Sequence, residues 1–101
     1  MHLHELTDAM NHFVTAKGWY REDSPRPQTP RNLAISLALE AGEVLEHFQW
    51  RDAPVDTPAL ASELADVTLY LLQLASVSGI DLEKAVLDKL DHNYTRTWET
   101  P

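Results

Sequence analysis

Two pairs of acids set in long apolar-periodic runs leave few folds open to this chain. Glu40 and Glu43, and Glu63 and Asp66, each stand three residues apart among apolar residues that recur at steps of three and four. On an α-helix that spacing puts both carboxylates of a pair on one face, about one turn apart. The first run has a seam of Ala34, Leu37, Ala41, Val44 and Phe48, with Glu40, Glu43, His47 and Trp50 in the adjoining row. The second has a seam of Leu60, Leu64, Val67, Leu71 and Leu74, beside Glu63, Asp66, Tyr70 and Gln73. Both acidic rows lie one position before their seams, so helices packed through equivalent seams would bring the four acids together. Converging carboxylates repel unless a cation sits among them, and hard divalent cations take oxygen ligands. For either pair alone, a solvated helix face is the alternative. The matching register, and Gly42 in a helix interior where it costs roughly 1 kcal/mol relative to alanine, favour the clustered reading and a close helix approach or ligand beside Gly42.

The rest of the chain reads as helices of the same kind. Leu3, Leu6, Met10, Phe13 and Val14 predict a first amphipathic helix from about residue 3 to Lys17, stopped by Gly18. His2, His4 and His12 share no clear ligand face and read as solvent-facing. Residues 18–29 carry Pro25 and Pro27 and read as an irregular, unusually long connection, of a length that is often functional; the alternative is that Trp19 and Tyr20 simply cap the core, which is favoured for Trp19. Thr29-Pro30 predicts the start of a second helix reaching about Trp50, and Thr57-Pro58 repeats the signal for a third of about twenty residues. Leu69 and Leu72 lie off its seam and predict a subunit interface. Ser78-Gly79 ends that helix, and Asp81 caps a fourth with Val86, Leu87, Leu90 and Tyr94 facing inward. The expectation is one all-α domain over residues 1–101, a four-helix bundle-like fold.

Composition narrows the function classes. There is no cysteine, which excludes disulfides, zinc-thiolate sites and cysteine nucleophiles. No secretory core precedes the first helix and no run approaches the roughly 18 apolar residues of a membrane span, so the expectation is a cytoplasmic protein without a membrane partner. A net charge of −8 argues against binding duplex nucleic acid. Four of the eight cationic residues, Lys17, Arg21, Arg26 and Arg31, fall in one segment suited either to a small anion or simply to solvent.

The acids themselves favour magnesium, with manganese a possible substitute. Di-iron carboxylate proteins use Glu-x-x-His pairs, and neither Glu40 nor Glu63 has a histidine three residues on. The helical zinc motif His-Glu-x-x-His and a glycine-rich phosphate loop are both missing. Magnesium usually keeps several waters and is shared with substrate phosphates, which suits a phosphate ester or anhydride.

Thr29-Pro30-Arg31-Asn32-Leu33, Glu40-Ala-Gly-Glu43 followed by His47-Phe48-Gln49-Trp50, Glu63-Leu-Ala-Asp66-Val67 with Tyr70, and then Lys89 and Asn93 together resemble the MazG-like all-α nucleotide pyrophosphohydrolases, closest to the branch that includes the dCTP pyrophosphatases. The resemblance runs from about Leu6 to Asn93. It implies hydrolysis of a nucleoside triphosphate to the monophosphate and pyrophosphate, with magnesium held by Glu40, Glu43, Glu63 and Asp66. It also implies that Trp50 stacks on or walls the base and that Tyr70, Lys89 and Asn93 contact sugar or phosphate, with Arg31 among the substrate-binding residues. Relatives of this kind form dimers or tetramers, which makes a homodimer or homotetramer the expectation. The proline-rich loop is longer than in the family, and Trp98 stands where its tail carries a tyrosine. A catalytically inactive helical module for oligomerisation or partner binding is the alternative.

Overall fold

The computed structural model describes residues 2–53 and 56–97. It contains four helices, α1 (Leu3–Ala16), α2 (Pro30–Glu46), α3 (Thr57–Val77) and α4 (Leu82–Thr95), and no strand among the described residues. Trp98 lies outside the described residues.

Local chemistry accounts for most helix ends. α1 ends at Lys17, where Gly18 takes a φ of 76° that an L side chain resists. At the start of α2, Thr29 Oγ1 accepts a hydrogen bond from the Asn32 N–H at 3.2 Å, and Pro30 occupies the first turn, where no donor is needed. Asp81 caps α4 in the same way, through the Lys84 N–H at 3.1 Å. α3 differs from expectation: Asp56 is its N-cap residue, its side chain makes no capping bond, and Thr57 is already helical. α2 also stops earlier than predicted. From His47 the amides bond back three residues instead of four, and Trp50 adopts a φ of 70°, so His47 to Trp50 form turns beyond the helix.

α3 is the axis of the fold. It packs against α2 on one side and α1 on another, while α4 leans on α1 and α3; α2 has no other helix neighbour. The core is small: Met10 and Val14 of α1 meet Leu72 of α3, with Leu3, Trp19, Tyr20 and Leu82 packed around them. Leu72 is thus a core residue and not the interface residue its off-seam position predicted; Trp19 caps the core as expected, and Tyr20 packs there as well. Leu69, by contrast, remains exposed.

The inward faces follow the predicted seams in part, with Leu37, Val44, Phe48, Leu60, Val67 and Leu74 half-buried as expected. Ala34 and Ala41 are exposed, whereas Leu33 is buried and Ser36, Leu37, Glu40 and Val44 are half-buried. On α3, Leu64 and Leu71 are exposed while Glu63, Asp66 and Tyr70 are half-buried and Gln73 is buried. Glu40, Glu63 and Asp66 are thus half-buried alongside the seam residues Leu37, Val44, Leu60, Val67 and Leu74, while Glu43 is exposed. Both helices carry apolar residues on several faces, so periodicity alone does not say which face a neighbour covers. On α4, Val86, Leu87, Leu90 and Tyr94 are all exposed, contrary to the inward placement expected, because only α1 and α3 touch this helix. A Cβ at Gly42 would meet nothing within 4 Å, so no other element among the described residues approaches it.

α3 is long and apolar enough, by length and composition alone, to cross a membrane, at 21 residues with a window mean hydropathy of 1.2. That departs from the expectation of no such run. Every 18-residue window within it nevertheless contains both Glu63 and Asp66.

Candidate active site

The packing of α2 on α3 turns a sequence pattern into a cluster. One carboxylate oxygen from each of Glu40, Glu43 and Glu63 lies within 4.8 Å of the others. Asp66 stands one turn farther along α3, outside that tightest group, but its charge reaches both Glu40 and Glu63. Glu40 Oε2 and Glu63 Oε2 are buried without a hydrogen-bond partner. A buried carboxylate oxygen with no donor is costly, and native structures rarely leave one without a reason.

Electrostatics record the strain. The Glu40 carboxyl is pushed up to about 7, first by loss of solvent and then by its hydrogen bond to Glu43 and the charges of Glu43, Asp66 and Glu63. Glu63 is raised as well, chiefly by its hydrogen bond with Glu43 and then by desolvation and the neighbouring charges. No cationic side chain contributes to either shift. Oxygen-only donors, like-charge crowding and unpartnered buried oxygens together fit a hard divalent cation.

Beside the acids lies a cavity of about 760 Å³, bounded by α1, residues 19–28, the first turns of α2 and the middle of α3. Asp66 and Tyr70 belong to its lining, so the cavity begins where the acidic cluster ends. Its inner wall is apolar and aromatic, with Phe13 and Trp19 edge to face at 5.6 Å. A volume of this size takes a drug-sized organic ligand. A second recess, about 210 Å³ between the first turns of α1 and α4, shares no residue with the acids.

The loop that closes the cavity is knit to itself and to α3. The Arg26 N–H donates to Ser24 Oγ at 3.1 Å, Gln28 Nε2 to the Arg26 carbonyl at 2.7 Å, and Asn32 Nδ2 to the Pro27 carbonyl at 3.0 Å. Gln73 Nε2, on α3, donates to Gln28 Oε1 at 2.7 Å. Farther in, the Tyr20 hydroxyl donates to Asn11 Oδ1 at 2.6 Å, and Asn11 Nδ2 to Ser76 Oγ at 2.8 Å. Burial raises the Tyr20 phenol, and the neighbouring Gln73 side chain offsets part of that rise.

The other sequence-predicted residues sit elsewhere in the chain. Trp50 is 93% exposed beyond the end of α2, Arg31 is exposed on its first turn, and Lys89 is exposed on α4, where Asn93 is half-buried. None of the four lines the cavity. Arg26, one of the four cations of the basic segment, does line it, as do Gln28, Ser36 and Gln73, which sequence reasoning does not mark as site residues. Gln73 had one legible signal, its place in the same row as Glu63, Asp66 and Tyr70; Gln28 had none, since its partner lies 45 residues away.

Fold and site together define an all-α protein built around a helical carboxylate cluster at the mouth of an organic-ligand-sized cavity. The chain belongs to the MazG-like family, whose profile matches residues 35–99. It is 43% identical over 76 residues to dCTP pyrophosphatase 1 of Rattus norvegicus and 42% identical over 76 residues to that of Homo sapiens, covering 66% of this chain and 45% of each of those proteins. It is 37% identical over 60 residues to the dATP/dGTP diphosphohydrolase of Salmonella phage PMBT28, covering 57% of this chain and 21% of that one. The solved structure of a pyrophosphatase from Archaeoglobus fulgidus matches with a TM-score of 0.71 at 33% identity, over 92% of this chain and 89% of its own. The chain spans about half the length of the dCTP pyrophosphatases it matches.

Proposed function

We propose that this protein is a magnesium-dependent nucleotide pyrophosphohydrolase that cleaves nucleoside or deoxynucleoside triphosphates to the monophosphate and pyrophosphate, acting in the cleansing of nucleotide pools. The observation that carries the reading is the cluster of Glu40, Glu43 and Glu63 oxygens within 4.8 Å, continued through Asp66 into a cavity of about 760 Å³. Family membership and the names of the relatives support it.

In this reading Glu40, Glu43, Glu63 and Asp66 hold the cation. When bound, magnesium would supply charge neutralisation for the triphosphate and a more acidic attacking water. A carboxylate of the cluster accepts the proton of that water as its oxygen bonds to the α-phosphorus. The bond from the α-phosphorus to the α,β-bridging oxygen breaks, and pyrophosphate leaves. Tyr70, one turn beyond Asp66, walls the sugar, and the apolar recess between Phe13, Trp19 and Leu33 shields the base from water.

Self-assembly belongs to the same proposal. The chain exposes 7867 Å², where a compact monomer of its mass exposes roughly 5,800 Å². Its radius of gyration is 16.3 Å against about 13 Å for a compact domain of this length. Ile35, Leu39 and Gly42 share the outer face of α2, and Leu64 and Leu71 share an open face of α3, as a buried homodimer or homotetramer interface requires. Assembly would also give Trp50, Lys89 and Asn93 a route to a neighbouring subunit's site.

The deciding experiment measures pyrophosphate release from a panel of nucleoside triphosphates with magnesium, for the wild type and for Glu43→Gln and Asp66→Asn. Activity in the wild type and its loss in both folded variants is expected. Wild-type turnover in either variant would remove the assigned acids, and no release from any triphosphate would favour the inactive-module reading.

A further inference from the structure

The cavity wall contains one amide whose orientation is dictated by its neighbours. The Arg26 carbonyl can only accept, so the Gln28 amide must turn its Nε2 toward it, at 2.7 Å. Gln28 Oε1 is thereby aimed at Gln73 and can only accept as well. Gln73 must therefore present Nε2 to it, at 2.7 Å. The Gln73 side chain also hydrogen-bonds the Tyr20 phenol and lowers it, as a donor does, so that contact too belongs to Nε2; Gln73 Oε1 is left as the amide's uncommitted acceptor, on a side chain that is only 4% exposed and lines the cavity. The loop from Ser24 to Gln28, locked by its own hydrogen bonds, keeps the relay from turning over.

Position adds meaning to orientation. Asp66, Tyr70 and Gln73 follow one another along a single face of α3, at steps of four and three, and all three line the cavity. Seven residues of helix rise about 10 Å. That is of the order of the reach from the α-phosphate of a nucleotide to the far edge of its base. A nucleotide with its phosphates at the acids would bring the base edge to Gln73.

The geometry points to the Gln28–Gln73 amide relay as a specificity-determining element that selects bases presenting an exocyclic amino group over those presenting a keto oxygen at the same position. This rests on the nucleotide reading above and deepens it. An acceptor in the cavity wall that faces an amino group gains a hydrogen bond, whereas facing a keto oxygen it sets two acceptors against each other. Because Gln28 holds the amide of Gln73 in one orientation, the relay acts by preventing the half-turn that would let Gln73 donate to a keto oxygen instead.

The test compares kcat/KM for dCTP against dUTP, and for dATP against dITP, pairs that exchange amino for keto. Wild-type protein is expected to favour the amino member by about tenfold or more. Gln28→Ala, which releases the amide to turn, is expected to lower that ratio at least about threefold by raising the relative use of the keto member. Gln73→Leu removes the acceptor and should lower it likewise; Gln28 lies on the loop, so its variant serves if Gln73→Leu fails to fold. Pyrophosphate release from both members of each pair at equal efficiency, or an unchanged ratio in Gln28→Ala, would overturn the relay while leaving the hydrolase reading intact. If none of these four triphosphates is hydrolysed, calorimetry of dCMP against dUMP binding to the full chain decides the relay, apart from the hydrolase reading: tighter dCMP supports it, while equal binding or none overturns it.

Discussion

Glu40 on α2 and Glu63 on α3 each bury one carboxylate oxygen without a hydrogen-bond donor, and oxygens of the two residues approach within 4.8 Å across the helix groove. Such an arrangement stores repulsion in the metal-free fold, and its sign with pH can be worked out. Glu40 is raised from 4.5 to about 7, so between those values the folded chain holds a proton that the unfolded chain has released. Stability must therefore fall as pH rises across that window. The melting temperature in a chelator is expected to be lower at pH 8 than at pH 5.5 on this account, and magnesium at millimolar concentration should recover more of it at pH 8 than at pH 5.5. An equal magnesium effect at both values would mean that the cation does not bind the titrating acids.

Glu40→Gln separates the structural cost of the cluster from its use. Removing one charge from a group with no internal cation relieves repulsion, so the variant should melt higher than wild type in chelator near pH 8. It should also lose most of its magnesium-induced stabilisation. Thermal scans with and without the metal check both outcomes.

Leu33 and Leu72 are the largest fully buried side chains, and so small a core has little to compensate their loss. Leu72→Ala, at the junction of α1 and α3, is expected to cost about 2–5 kcal/mol, read from urea denaturation. Leu33→Ala opens the cavity floor and should cost a similar amount.

The Tyr20 hydroxyl is the donor that satisfies Asn11, which in turn reaches Ser76 on α3. Tyr20→Phe leaves Asn11 Oδ1 without that partner, at a cost of about 1 kcal/mol. The same denaturation measurement tests it, with Ser76→Ala as the other end of the chain of bonds.

Leu39 is 66% exposed and shares its face with Ile35 and Gly42. If that face is covered by a second copy, Leu39→Glu should lower the mass measured by light scattering behind a sizing column. An unchanged mass would place the interface on another face, for which Leu71→Glu is the matching variant.

The helix starts at Thr29-Pro30 and Asp81, and the stops at Gly18 and Gly79, were legible because capping and positive-φ chemistry act within a few residues. The acids were legible as pairs for the same reason: a spacing of three is a local geometric fact. Where α2 ends was less legible, since His47-Phe48-Gln49-Trp50 continues the apolar-polar rhythm after the backbone has turned to shorter bonds.

Sequence by itself determined an all-α chain with two acid-bearing helices in matching register, because periodicity, caps and pair spacings are properties of neighbouring residues. Tertiary structure alone decided that Glu40, Glu63 and Asp66 share partial burial with the seam residues beside them, while Glu43, Ala34 and Ala41 stay exposed. It also decided that Leu72 is core while Leu71 is open, and that Gln28 fixes the amide of Gln73. Each of these depends on which face a partner helix or loop covers, and for helices apolar on several sides that choice is made by packing between segments far apart in the chain.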